Sequence, residues 1–286
     1  MLIYFYLEYL RYSNVYKQVT SKLKQNPMKK YLILFLISIT SYSYSQETFS
    51  FVSKVHPEKK YSLQMDVSSI TETTINGKTT KSESISRVTR VTNTEKADKN
   101  GQFPAIMNFG GVIVTGAGKE VLSPLSKTII KGLLSEDNKF DIDTIINPNL
   151  DQQTKNALKS AFKNLKPDID FPQKPLKIND SFEYKIPMNI PINGEQIKAV
   201  ITKTFTLKSV LNNIAEFTVS EIISLNMESK NVIASGNGNG VVEFNISENQ
   251  IIKDKSHFII DITIKKENIN VRGLVTSDTE KLLRIQ

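Results

Sequence analysis

The sequence predicts an exported, β-rich α+β domain: an antiparallel meander that forms a curved sheet or incomplete barrel, with two short helices from the middle of the chain. Three observations lead to this fold class. A secretory leader precedes the domain, long segments alternate apolar and polar residues as strands do, and short turns join most of these segments. Parallel neighbours would need crossovers of about a dozen residues, so the short turns favour antiparallel pairing.

A signal peptide is the most specific signal in the chain. Met28 and two lysines lead into the apolar run from Tyr31 to Ile39, and small or polar residues follow as far as Ser45. This order is typical of a leader cleaved between Ser45 and Gln46, which predicts a periplasmic or secreted protein. The sequence therefore predicts three parts of the chain: an upstream extension outside the native protein (1–27), the signal peptide (28–45) and a single exported domain (46–286).

Composition and the short apolar run exclude several classes. The run is about half of the roughly 20 residues that cross a bilayer, so no stable transmembrane anchor is expected. Residues 1–45 hold 6 of the 37 basic and 1 of the 29 acidic residues, which leaves 31 basic against 28 acidic ones and argues against nucleic acid as a partner. The chain has no Cys, which excludes thiolate metal sites and disulfides, and we expect no cofactor or metal.

The first strand set is predicted over 59–146. Residues 61–67 alternate as in a half-buried strand, and Asn76-Gly77 is a hairpin signal. The returning segment 79–93 carries charges on both faces, which predicts an edge or bulged strand. A third strand follows over 102–115, interrupted at its Gly-Gly pair.

Helical spacing appears in the middle of the chain. Ser123-Pro124 followed by apolar residues three and four apart predicts a first helix. A short strand over 140–145 ends at Asn147-Pro148, and an amphipathic helix is predicted from Asp151 to Leu165 within the helix and Pro-rich connection 149–178. The apolar residues of the first predicted helix are Leu125, Ile129, Ile130, Leu133 and Leu134.

The second strand set is predicted over 180–286. Short turns such as Asn212-Asn213 separate its alternating segments, and a last strand starts near Ile269. The alternating segments are 197–207, 215–225, 242–246 and 258–264.

Three motifs resemble ligand loops without meeting their requirements. Gly116-Ala117-Gly118-Lys119 lacks the Gly needed at Ile113 and the Ser or Thr needed at Glu120 for a phosphate loop. Gly236 to Gly240 enters a strand rather than a helix, which favours a β-bulge or close backbone packing. The aspartates at 137, 141 and 143 lack the spacing of a calcium loop and fit a solvated strand face.

No catalytic residues are predicted, and the protein is expected not to be an enzyme. His56 and His257 are the only histidines, and the chain has no Gly-x-Ser-x-Gly elbow. A hydrolase remains the third hypothesis, with His257 near Asp261 as its best starting point.

An apolar stripe is the remaining candidate for function. Phe258, Ile260, Ile262 and Ile264 share one face of a predicted strand, with His257, Asp261 and Thr263 on the other face. The ordinary interpretation is a sheet core covered by helices. The functional interpretation is that the helices cover a curved sheet only in part and leave a cavity for an apolar ligand. The predicted ligand-binding residues are Met65, Phe205, Phe217 and Phe258.

Two landmarks resemble an uncharacterised secreted β-rich family of Gram-negative bacteria. Asn179-Asp180-Ser181-Phe182 opens a strand set, and a late run of alternating Gly and Asn precedes a strand and Ser-Glu-Asn-Gln-Ile. Asn179 and Asn249 stand where that family has Gly. The resemblance covers most of 59–264 and implies an architecture similar to the half-barrel lipoprotein carriers of the periplasm, hence lipid binding.

Two hypotheses therefore lead. The first is a non-catalytic cell-envelope protein that binds a lipid or another apolar ligand in a half-barrel. The second is an envelope scaffold or adhesion protein whose partner is another envelope protein, contacted through edge strands.

Overall fold

The computed structural model describes residues 47–116, 119–163, 169–192, 195–225, 232–266 and 269–286. The predicted signal peptide and its Ser45-Gln46 cleavage site lie outside the described residues, as does the end of the second predicted helix.

Within the described ranges the chain forms fourteen strands and one helix. The strands are β1 Thr48–Phe49, β2 Lys60–Ile75, β3 Lys78–Thr94, β4 Gln102–Gly116, β5 Lys119–Leu122, β6 Ile129–Ser135, β7 Phe140–Ile146, β8 Leu176–Lys177, β9 Ser181–Ile192, β10 Glu195–Leu211, β11 Ile214–Leu225, β12 Val232–Asn245, β13 Gln250–Lys266 and β14 Ile269–Ile285. The helix is α1, Gln152–Lys163.

One antiparallel sheet of twelve strands dominates the molecule. Its order is β7-β6-β4-β3-β2-β14-β13-β12-β11-β10-β9, with β5 paired to β4, and β1 with β8 forms a separate two-stranded sheet. Two meanders, β2 to β7 and β9 to β14, join where β14 pairs with β2. The sheet is not closed, because β7 and β9 lie at opposite ends of the order. The prediction of a β-rich antiparallel meander is confirmed in this form.

The register assigns every side chain to a face, because directly paired residues of antiparallel strands point to the same side. Phe205 pairs directly with Val219. Following the pairings across β12, β13, β14 and β2 places Phe258, Met65 and Tyr61 on the same side of the sheet. We call this side the core face. The opposite side carries His257 and is called the polar face.

Two apolar clusters lie on the core face. The N-terminal cluster includes Phe103, Ile130 and Phe140 and is covered by α1 through Leu158 and Phe162. The C-terminal cluster includes Phe205, Phe217, Val242 and Phe244, with Phe51, Ile169 and Leu176 packed against it from the irregular segments. Both clusters lie towards the end of the sheet at which β2 begins and β14 ends, the N-terminal cluster on β2 and its neighbours and the C-terminal cluster on β10 to β13. Beyond them, residues 68–75 and 78–83 contain no buried side chain, nor do 258–265. These strand halves form the distal half of the sheet.

The first predicted helix is wrong, because 124–127 form a turn and Ile129–Ser135 is strand β6. Ile130 and Leu134 are buried while Lys131 is exposed, which is the two-residue period of a strand. Residues four apart share a face in a strand as well as in a helix. Pairing with β4 and β7, which are remote in sequence from Ser123-Pro124, decides between the two.

Helix α1 confirms the second predicted helix, and Asp151 caps it. The backbone N–H of Thr154 donates to Asp151 Oδ1 at 2.7 Å. This hydrogen bond stabilises the carboxylate and lowers the pKa of Asp151.

Strand β3 is bulged but lies inside the sheet, between β2 and β4, so the edge alternative is wrong. The register shifts between Val88 and Arg90, opposite Gly110-Gly111, and β4 continues through the glycines. The N–H of Gly111 donates to Thr89 Oγ1 at 2.8 Å, which satisfies a backbone donor at the bulge.

Candidate functional site

The glycine run of β12 shapes the core face. Gly236, Gly238 and Gly240 lie on this face, and a Cβ on Gly238 would stand 2.5 Å from Phe258 Cδ2 and 2.8 Å from the His257 carbonyl oxygen. A Cβ on Gly236 would stand 3.3 Å from Ile223. The Phe258 and Ile223 side chains therefore occupy space that β12 leaves empty. The structure shows close packing over these glycines, and the bulge of β12 falls later, at Glu243/Phe244.

An apolar surface continues from these glycines into the distal half. Ile201, Ile223, Ile260 and Val275 belong to one row across four strands, with Gly236 between the second and third. Most of these side chains are half-buried, and none of them except Ile223 is fully enclosed. We call the surface the distal apolar patch; it consists of Ile201, Ile223, Phe258, Ile260, Ile262, Ile264, Val271 and Val275.

The structure brings all four predicted ligand residues to the core face but separates their environments. Phe205 and Phe217 are 2% and 0% exposed inside the C-terminal cluster, where the Phe205 ring stacks on Phe182 with centroids 5.1 Å apart. Met65 and Phe258 are half-buried and lie outside both clusters. Phe258 alone of the four belongs to the distal apolar patch.

Sequence reasoning missed the partners of the stripe. Ile201, Ile223 and Val275 join Ile260 only through strand pairing. Ile201 and Ile223 were visible as members of alternating segments, but alternation in each strand does not reveal which strands become neighbours.

Polar residues on either side of Phe258, which we call the polar belt, lie between the rest of the patch and the C-terminal cluster. Tyr184, Lys203 and Glu221 form one part of the belt, and Ser277 and Ser69 form the other. Lys203 Nζ lies 2.8 Å from Glu221 Oε1, with the side chains 22% and 6% exposed. Ser69 Oγ and Ser277 Oγ are 3.0 Å apart and hydrogen-bonded. Buried charged groups are costly unless they are paired, as Lys203 and Glu221 are here.

The polar face carries a groove of about 830 Å³. Cross-strand ion pairs dominate its lining: Arg87 with Asp66 at 2.6 Å, Lys255 with Glu280 at 2.7 Å, and Lys253 with Glu243. Hydrogen bonds from Gln64 and Arg87 lower the pKa of Asp66. These charges satisfy one another, as expected of a solvated sheet face.

His257 lies in this groove, and its partner differs from the one considered in the sequence. Its Nδ1 is 2.7 Å from Asp278 Oδ1, whereas Asp261 accepts from Arg272 at 2.5 Å. Along the row, Asp278 lies between Ser68 and His257. A Ser–His–acid triad needs the histidine in the middle, so this row does not have the order of a triad.

The other motifs also lack the setting of a site. Lys119 begins strand β5 rather than a helix, and residues 117 and 118 lie outside the described ranges. Asp141 and Asp143 are exposed on β7, and Asp137 pairs with Lys139 at 2.6 Å. Within the described residues, no group of three or more His, Asp or Glu side chains is arranged to hold a metal ion.

Comparisons with known proteins give no family. No family model matches the chain, and none of the curated proteins does. Among solved structures it is similar to lipovitellin, in a structure describing lipid–protein interactions, with 12% identity and a TM-score of 0.40 over 81% of this chain and 26% of that one. It is also similar to Pseudomonas aeruginosa OpdQ, with 6% identity and a TM-score of 0.26 over 81% of this chain and 99% of that one. The chain thus spans about a quarter of the lipovitellin chain, and TM-scores below 0.5 establish neither fold nor function.

In the part of the chain that the structure describes, no helix combines the length and the apolar composition needed to cross a membrane.

Proposed function

We propose that this protein is an exported, non-catalytic cell-envelope protein that binds the acyl chain of a lipid on the distal apolar patch. The observation that carries the proposal is that the apolar surface of the core face continues into the patch, past the segments that cover the two clusters. Helix α1 packs on the N-terminal cluster, and the segments around Phe51 and Leu176 pack on the C-terminal cluster. No residue of the patch belongs to either cluster.

The dimensions of the patch fit an acyl chain. Phe258 and Ile264 of β13 are six residue steps apart, or about 20 Å at roughly 3.4 Å per step. One leaflet of a bilayer accounts for about 15 Å of hydrocarbon, which is half of the roughly 30 Å core. Covering this surface removes apolar area from water at about 25 cal/mol per Å².

Polar residues border the patch, as is usual at binding surfaces. The polar belt bounds it on the side of the C-terminal cluster, and Lys78 pairs with Ile75 at the hairpin end. Large apolar patches rimmed by polar residues typically mark ligand-binding grooves or interaction sites. The envelope-scaffold hypothesis would use the edges of the sheet instead of this face.

Adjacent isoleucines of β13 provide a matched test. Ile260 lies on the core face between Gly236 and Val275, while Ile259 lies on the polar face between Asn237 and Thr276. Native mass spectrometry and organic extraction of the purified protein should detect a bound lipid. Ile260→Asp should lose most of this lipid, because it places a carboxylate in the patch, and Ile259→Asp should retain it.

Folding is controlled by comparing the circular dichroism and Tm of the two variants. A lipid-free wild type in both assays, even after incubation with a lipid extract, would refute acyl-chain binding. Equal retention of lipid by two folded variants would exclude the distal apolar patch as the binding surface.

A further inference from the structure

We infer that the ligand is an anionic amphiphile whose headgroup contacts Lys203 while its acyl chain lies along the distal apolar patch; this rests on the proposed function. The inference names the chemical class of the lipid, a carboxylate or another singly charged acidic headgroup. It follows from the position of the polar belt at one end of the patch.

The two charges of the belt differ in accessibility. Glu221 is 6% exposed, whereas the Lys203 side chain is 22% exposed, so a molecule on the core face meets the ammonium rather than the carboxylate. An ammonium group has three N–H donors, and the described contacts of Lys203 Nζ include one acceptor, Glu221 Oε1. A second acceptor can therefore bind without displacing the first.

The geometry places a headgroup and a tail in one continuous track. Lys203 and Glu221 belong to the row of Phe258, with Gly238 between Glu221 and Phe258. The next row towards the hairpin end is Ile201, Ile223, Gly236, Ile260 and Val275. A ligand whose headgroup contacts Lys203 therefore places its acyl chain directly on these apolar side chains. Ser69 and Ser277 continue the polar belt on the other side of Phe258.

Glu221 has a positioning role. It holds the ammonium at the surface of the belt and partly neutralises it. The binding energy that an anionic headgroup gains over an uncharged one is therefore that of one charge-assisted hydrogen bond. Such a bond corresponds to roughly a tenfold difference in Kd.

Two probes with the same tail and different headgroups test the inference. Hexadecanoate and hexadecanol are titrated against the protein at about pH 8, where the carboxylate is ionised. The wild type should bind hexadecanoate roughly tenfold more tightly. The double variant Lys203→Met/Glu221→Gln removes both charges without leaving a buried one unpaired, and it should bind the two probes equally.

A matched pair on the polar face serves as the control. Lys255 and Glu280 are also a cross-strand ion pair, 2.7 Å apart, but lie on the opposite face. Lys255→Met/Glu280→Gln should keep the wild-type preference. Equal binding of both probes by the wild type would overturn the headgroup assignment and leave acyl-chain binding in place. Binding of neither probe would contradict the proposed function itself.

Discussion

At the residue scale, glycines determine how the larger side chains pack on the core face. Gly238 lies between Glu221 and Phe258, and its lack of a Cβ lets Phe258 lean across β12. Asn237 and Asn239 alternate with the glycines and point to the polar face. The Gly-Asn repeat thus follows the two-residue alternation of a strand, with glycine at each core-face position and asparagine at each polar-face position.

Gly238→Ala is expected to destabilise the protein by about 1–3 kcal/mol, because its Cβ would overlap the Phe258 ring and a backbone carbonyl. Gly273→Ala, on β14 of the same face, is the control, because nothing lies within 4 Å of its Cβ. Urea unfolding of both variants measures the difference. Equal stabilities would show that the close packing over Gly238 is not a constraint.

The cap of α1 predicts a pH dependence. The lowered pKa of Asp151 means that its contribution to stability is complete above the unfolded value of about 3.9 and is lost as pH falls through the folded pKa. Asp151→Ala should lower Tm at neutral pH, and Asp151→Asn, which keeps an accepting oxygen, should lower it less. Thermal melts from about pH 7 to pH 3 test this. A Tm for Asp151→Ala equal to that of the wild type at neutral pH would argue against the cap.

Two other asparagines adopt a backbone conformation that is unfavourable for most residues. Asn179 and Asn249 have φ of 72° and 54°, in the left-handed region that Gly and Asn tolerate best. Asparagine therefore fits the backbone conformation that each of these turns requires.

At the element scale, the ends of an open sheet must avoid pairing with other chains. Strand β9 is one such end, and Pro187 within it supplies no backbone N–H. Lys185 and Glu183 add charge along the same strand. These features oppose strand addition at β9, the mode that the envelope-scaffold hypothesis would use there.

Replacing Pro187 with Val should promote self-association, because it restores a backbone donor in an edge strand. Ser181→Val places the same side chain on the same strand without removing a charge or adding a donor, and it is the matched control. Light scattering at increasing protein concentration distinguishes the two variants. A Pro187→Val protein that remains as monodisperse as the control would show that Pro187 does not protect this edge.

At the scale of the whole molecule, stability is unevenly distributed along the strands. Both clusters lie towards the end of the sheet at which β2 begins and β14 ends, and the distal half has only half-buried or exposed residues in 68–83 and 258–265. Local opening is cheapest where few apolar contacts are lost. The surface proposed to bind lipid is thus part of the region that opens most easily.

Amide hydrogen exchange should therefore be faster in the distal halves of β2, β3, β13 and β14 than in their core halves. Saturating hexadecanoate should slow exchange over 258–264 and 271–275, and it should leave β6 and β7 unchanged. Uniform exchange along these strands would contradict the uneven distribution of stability. Protection confined to β6 and β7 would place the ligand at the N-terminal cluster instead of the distal apolar patch.

The sequence by itself determined the local features of this protein. Asn76-Gly77 and Asn212-Asn213 turn with positive φ as expected, Asp151 caps the one described helix, and the strands follow the two-residue period. Each of these depends on backbone chemistry and on neighbours a few residues away. The segment from Ile129 to Ser135 did not follow the predicted helix, because its spacing fits two periods and its pairing with β4 is not local.

Only the tertiary structure decided which residues form the candidate site. Met65 and Phe258 share a face because β14 pairs with β2, and Lys203 meets Glu221 because β10 and β11 pair in one register. A shift by one residue would send each of these side chains to the opposite face. Register is a property of the paired strands, so the distal apolar patch and the Lys203–Glu221 part of the polar belt form only when β9 to β14 pair, and Ser69 joins the belt only when β14 pairs with β2.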